Sequence, residues 1–313
     1  MGRDDMREYK IGIIYTTIAY IAWGVLPLYW KIIDYIPAFE ILAHRIVWSL
    51  VFVLMIILVS KKGKQFITSL KDIFKNKLKL VGILASSILI TVNWATYIWA
   101  VNTNHIIDAS LGYYINPLVS VLLGIIVLKE RLMFWQGISF ALAGLGVLIL
   151  TIQFGSFPWV AITLALSFGF YGLTKKLVKL DSLLGLAMET MVVAPIALLY
   201  LTFLFKGGVD SFSGASVDVR LLLMGAGVIT ALPLLWFAAG ANRIPLSVIG
   251  LLQYIAPTIS LLLGVFLYHE HFTKVHFVTF LCIWTALLIY SFSKSKLLTS
   301  IQPKFMKNKS LGA

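Results

Sequence analysis

Sixty per cent of the 313 residues are hydrophobic, only 12% are charged and the mean hydropathy is +0.93, whereas roughly a quarter of residues are charged in soluble domains. This excludes a soluble enzyme or binding module, and about ten spans of roughly 20 residues leave no room for a sizeable soluble domain. The net charge of +13 sits between apolar segments rather than on an aromatic-interleaved face, which fits membrane topology and argues against nucleic acid.

Arg3, Arg7 and Lys10 precede an apolar run from Ile11 to Trp30. The run is longer than a signal-peptide core and carries no A-x-A cleavage site, which predicts a retained first helix. Further apolar windows fall at 37–59, 80–101, 108–128, 133–152, 157–178, 183–205, 219–241, 245–268 and 273–292. Each is long enough to cross a bilayer as a helix, the form that satisfies its own backbone in lipid. The expected fold class is an all-α integral membrane protein of ten transmembrane helices. Most Lys and Arg fall on the side that holds both termini and the loop 61–79, against Lys31, Lys206, Arg220 and Lys274 on the other. Both termini are therefore expected in the cytoplasm, with the Lys-rich loop anchored on anionic membrane lipid.

Arg45 is the most informative residue inside a span. With the second helix starting at Pro37, it lies about 12 Å deep at 1.5 Å per residue, where an Arg costs about 2.5–3.5 kcal/mol even on the translocon scale. It should face the bundle interior and pair with a carboxylate or an anionic solute. Glu40, one turn outward, and Glu189, early in the seventh helix, are the candidate partners or proton carriers. His44 is a candidate for proton coupling, or else a satisfied buried histidine.

Asn93, Trp94, Tyr97 and Trp99 partly share one face of the third helix, with Trp236 and Phe237 at the equivalent level of the eighth. Aromatics near membrane ends usually form interfacial belts, but Trp94 and Trp236 lie deeper. With Trp23 of the first helix they are candidates for lining a pocket for an organic solute. Pro117 and Pro257 each free a carbonyl within a span. Tyr114 and Tyr254 precede them by three residues, and Asn116 and Gln253 stand nearby, so all six are cavity candidates.

Gly137 and Ala141 form a small-xxx-small pair, the candidate contact for a homodimer. Gly144-Leu145-Gly146 and Gly225-Ala226-Gly227 lack the strand and third glycine of a dinucleotide site. His269-Glu270-His271, with His276, resembles a metal cluster but lies on a short external turn whose counterpart is Lys129-Glu130-Arg131, so no metal is expected. Cys282, the sole cysteine, excludes an intramolecular disulfide. No cofactor is expected, and coupling to a proton or ion stays open.

The segment Asn102 to Glu130 recurs, displaced by 140 residues, with ten identities in 29 positions that include Tyr114/Tyr254, Pro117/Pro257 and Glu130/Glu270. A unit of five spans is odd, so its second copy enters the membrane inverted. The expected organisation is a cytoplasmic tail at 1–10, five-helix repeats at 11–152 and 153–292, and a cytoplasmic tail at 293–313. Inverted repeats are a common plan for secondary transporters, with the solute site near the midplane.

The strings Gly24-Val25-Leu26-Pro27-Leu28-Tyr29-Trp30-Lys31, Glu40-Ile41-Leu42-Ala43-His44-Arg45-Ile46-Val47-Trp48-Ser49, Gly112-Tyr113-Tyr114-Ile115-Asn116-Pro117-Leu118 and Leu251 with Gln253-Tyr254-Ile255-Ala256-Pro257 resemble the RarD-like branch of the EamA-type transporters, in the drug/metabolite transporter superfamily. The resemblance covers residues 8 to 295. It implies ten helices in two inverted repeats, a bacterial inner membrane, and export or exchange of a small metabolite or drug-like solute rather than enzymatic activity. The alternatives are a membrane-embedded enzyme, which would need nucleophile, base and metal ligands converging in one place, and a channel or scramblase-like protein.

Overall fold

The computed structural model describes residues 3–128, 134–154, 157–178, 181–241, 243–244 and 252–293, and every regular element among them is a helix. The first half holds α1 (Arg3–Ile32), α2 (Ala38–Val59), α3 (Gly63–Lys75), α4 (Lys77–Asn102), α5 (Ile106–Leu128) and α6 (Phe134–Phe154). The second holds α7 (Trp159–Val178), α8 (Ser182–Lys206), α9 (Val217–Ala241), α10 (Ile255–Leu262), extended by one π-helical turn over Leu263–Leu267, and α11 (Lys274–Phe292). Seven of these helices are long and apolar enough to cross a membrane, and Ile255–Leu267 is a shorter apolar helix. Outward-facing side chains such as Val59 and Phe203, 79% and 72% exposed, are the apolar surface that lipid tails require.

Three features depart from the sequence reading. The N-terminal tail is helical from Arg3 onward, so the first helix begins well before Ile11. The loop 61–79 contains α3, a 13-residue amphipathic helix. It sets Phe66, Leu70 and Ile73 against Ile83, Val178 and Met188, while its lysines remain outside, as an interfacial helix does. Pro257 does not kink the middle of a helix. Gln253 and Tyr254 form a turn and α10 restarts at Ile255, so Pro257 occupies a first turn, where a missing N–H leaves nothing unpaired. α5 runs through Pro117, whose side chain lies outside the described residues, as does Glu130.

The main helix pairs cross between halves. α1 packs on α9 and α10, α2 on α8 and α9, α4 on α7 and α8, α5 on α7 and α10, and α6 on α11. Exchanging α1 with α7, α2 with α8, α4 with α9, α5 with α10 and α6 with α11 maps this set onto itself. Between two helices in lipid, close approach of backbones supplies much of the attraction, so small residues occupy the seams. At Gly227, a Cβ would stand 2.3 Å from the Trp48 carbonyl carbon of α2; at Gly112, 2.8 Å from the Ala161 carbonyl oxygen of α7.

A carboxylate ties the halves at one end. Both oxygens of Glu270, in the segment between the π turn and α11, accept backbone N–H bonds from Ile106 and Ile107 at 2.9 Å each. They satisfy two orphan donors of the first turn of α5, where a negative charge is also favoured. Burial raises the Glu270 carboxyl above its ordinary value, and the Ile107 and Ile106 amides oppose that shift.

Two consequences are measurable by thermal unfolding in detergent. Gly227→Ala should destabilise the fold by at least about 1–3 kcal/mol, the scale of overpacking, whereas Gly172→Ala, with open space at its Cβ, should be neutral or mildly stabilising. Glu270→Gln presents an amide donor to one of two backbone donors and should lose about 1–3 kcal/mol; an unchanged midpoint would show that the cap is dispensable.

Candidate functional site

Residues 40–46, the first two turns of α2, are buried on every side, because α4, α8, α9 and the loop 207–216 enclose them. Arg45 projects from this stretch and is 4% exposed. Its guanidinium carbon lies 4.2 Å from the ring centre of Trp94 on α4 and 5.2 Å from that of Trp30 on α1. Guanidinium stacks well on indole faces, and stacking leaves its N–H edges free. Those edges are unused: Nε and Nη1 are buried without a hydrogen-bond partner among the described residues, and so is Nε1 of Trp30. No carboxylate pairs with Arg45 there.

Tyr97 and Tyr113 are neighbours of Arg45, with their rings edge to face at 5.7 Å. Tyr97 lies beside Ser260 of α10, and the Ser260 hydroxyl donates to the Gly24 carbonyl at 3.1 Å. The cluster thus touches the second half. Asn93 holds α4 to α7: its Nδ2 donates to the Leu164 carbonyl and the Ser167 hydroxyl, both at 3.1 Å, and its Oδ1 accepts from Tyr113 at 3.3 Å. Asn116, one turn beyond Tyr113, keeps a buried Oδ1 with no partner among the described residues.

Both carboxylates proposed as partners of Arg45 are committed elsewhere. Glu40, fully buried, accepts from the Ser211 amide at 2.6 Å and the Ser211 hydroxyl at 2.7 Å. It closes the loop 207–216 onto α2. His44 stacks on Phe212 of the same loop at 5.0 Å, with its Nε2 buried and without a partner among the described residues. In that loop, the Ser213 amide and hydroxyl hold the Asp210 carboxyl below its ordinary value. Glu189 on α8 accepts from Lys175 at 3.0 Å and from Tyr171 at 3.1 Å, both on α7. Lys175 is a site residue that the sequence reading misses; its spacing of four from Tyr171, which puts both on one helical face, is the available signal.

Trp94 also borders Glu189's surroundings. Trp94, Glu189 and Thr190 line a narrow crevice with Ile46, Thr91 and Val193, and the last three continue into an apolar groove of about 270 Å³ between α2, α4 and α8.

The remaining candidates form other groups. Tyr114 and Tyr254 stack at 6.2 Å, and the Tyr114 hydroxyl bonds Thr258 at 2.5 Å, joining α5 to α10. Gln253 is half-buried beside Tyr254, and Pro257 is buried in α10. Trp23 packs with Tyr20 and Phe237, tying α1 to α9. Trp236 is half-buried on α9 and makes no ring contact with the Arg45 cluster among the described residues. Trp30 and Tyr113, which complete that cluster, were missed as individual candidates because an aromatic in an apolar helix carries no mark of what it faces.

The EamA-like transporter family matches this chain twice, at residues 10–152 and 157–292. The chain is 51% identical to Uncharacterized transporter YojE of Bacillus subtilis (strain 168), over 92% of this chain and 96% of that protein. It is 40% identical to Protein RarD of Escherichia coli (strain K12), over 91% and 95%. Chloramphenicol-sensitive protein RarD of Pseudomonas aeruginosa is 27% identical over 94% and 97%. A solved crystal structure, 16% identical, shares the fold with a TM-score of 0.59 over 91% of this chain and 97% of its own. The chain is a multi-pass membrane protein that belongs to the EamA-like transporter family, in its RarD-like branch.

Proposed function

We propose that this membrane transporter is a secondary active exporter or exchanger of a small solute, working by alternating access between two inverted five-helix repeats in a bacterial inner membrane. Both termini lie on the cytoplasmic side in this reading. The observation that carries it is Arg45, a buried cation with unused donors at a junction of α1, α2, α4 and α10. An intramembrane charge without a partner is expensive, and a passing solute is the economical reason to keep one. The exchange symmetry of the helix pairs supports the repeat, and matches to one family over both halves agree with it.

Glu40 then holds the bundle together, and Glu189 is a carboxylate whose ion pair with Lys175 stands one aromatic wall away from Arg45. The match to a transporter family favours transport over the enzyme reading.

Solute flux into proteoliposomes tests the proposal. Arg45→Ala should lower counterflow at least about tenfold, a difference of about 1.4 kcal/mol, in protein whose unfolding midpoint stays near wild type. Wild-type flux in that variant would remove Arg45 from the pathway, and flux without concentrative counterflow would indicate a channel. Glu189→Leu alone should be destabilising by about 3–5 kcal/mol, because it strands a charge, an amount to be discounted for the partial exposure of Lys175; the double variant Lys175→Met with Glu189→Leu should recover most of that loss. A double variant as unstable as the single one would show that Lys175 and Glu189 do not act as a pair.

A further inference from the structure

The chemistry around Arg45 selects among solutes. At the guanidinium the unmatched buried groups are donors, Arg45 Nε and Nη1 and Nε1 of Trp30 beside it, while Asn116 Oδ1, one turn beyond Tyr113, is an unmatched acceptor. An ionised carboxylate is acceptor-only and takes the guanidinium fork bidentately, whereas an ammonium or a neutral amide places donors against donors. Charge points the same way. Glu189 is neutralised by Lys175, and the Glu40 carboxylate is turned to the neutral Ser211 amide and hydroxyl instead of the guanidinium, so Arg45 is a cation that no carboxylate contacts among the described residues. One such charge in a low-dielectric interior is balanced by a monoanion, while a dianion would leave a buried surplus. The surrounding side chains, Trp30, Trp94, Tyr97 and Tyr113, are aromatic, and they suit an apolar or aromatic body rather than a sugar or a hydrated inorganic ion.

We infer that the solute is a monocarboxylate with a compact apolar or aromatic body, bound through its carboxylate to Arg45 between the α1 and α4 indoles. The assignment rests on the transport reading above, which makes the ligand a solute. In the fork geometry Arg is not replaceable by Lys, whose ammonium offers a point charge without two parallel donors.

The test is binding to the purified full chain in detergent, read by tryptophan fluorescence and by the thermal unfolding midpoint. The probes are hexanoate, benzoate and phenylacetate, each beside its neutral amide at matched ionic strength, together with phenethylammonium. Saturable quenching and a raised midpoint are expected for at least one carboxylate and for neither its amide nor the cation. Arg45→Gln should abolish the response. Arg45→Lys keeps the charge and guards against a folding artefact; it should weaken binding about tenfold, equivalent to about 1.4 kcal/mol. Absence of carboxylate-selective binding across the panel would overturn the inference, as would equal binding of amide and acid or an unchanged affinity in Arg45→Gln. Carboxylate binding without any flux would sink the transport reading and leave this site standing. Flux of neutral or cationic solutes indifferent to Arg45→Gln would do the reverse.

Discussion

Lipid tails accept and donate no hydrogen bonds, so every polar group carried into the bilayer must find its partner inside the protein. Most of this chain obeys that constraint locally. Ser110, Thr190 and Thr230 return their hydroxyls to carbonyls four residues back, Asn93 and Glu189 are satisfied across helices, and Glu40 is satisfied by a loop. Several buried polar atoms among the described residues depart from the constraint, and of these the Arg45 nitrogens alone carry a fixed charge.

The location of that charge follows from how the halves assemble. Each helix except α3 finds its main neighbour in the opposite half, and glycines let the backbones approach at the seams. A residue pointing inward from α2 therefore faces elements of both halves rather than the interior of one. The same plan puts Glu270 of the second half on the N-terminal turn of α5 in the first. One end of the seam is thus closed by a carboxylate, while its interior holds a cation that no carboxylate pairs among the described residues.

Arg45 was legible because a charge amid an apolar run is visible without a structure, and so was the pairing of Tyr114 with Tyr254, through the 140-residue displacement. Glu40 and Glu189 were not legible as to partner. Helical rise gives a depth for each carboxylate, but the azimuth and the neighbouring helix decide what it meets. At Glu189 that neighbour is α7 with Lys175, and at Glu40 it is a polar loop. α3 escaped because a search for spans of about 20 residues passes over a 13-residue amphipathic helix, whose stability comes from the face it buries. The break before Pro257 escaped because a proline in an apolar run is compatible with a kink or with a restart, and only the backbone path distinguishes them.

Composition and hydropathy by themselves determined that the chain is a helical multi-pass membrane protein, since no other use exists for so many apolar residues in runs of that length. Internal recurrence and the strings of the first two helices determined its kinship. Tertiary structure alone decided which charges meet. Glu189 went to Lys175, Glu40 to Ser211, and Arg45 to two indole faces and no carboxylate. Pairing in a bundle depends on which helix faces lie together, a property of packing that one helix does not encode.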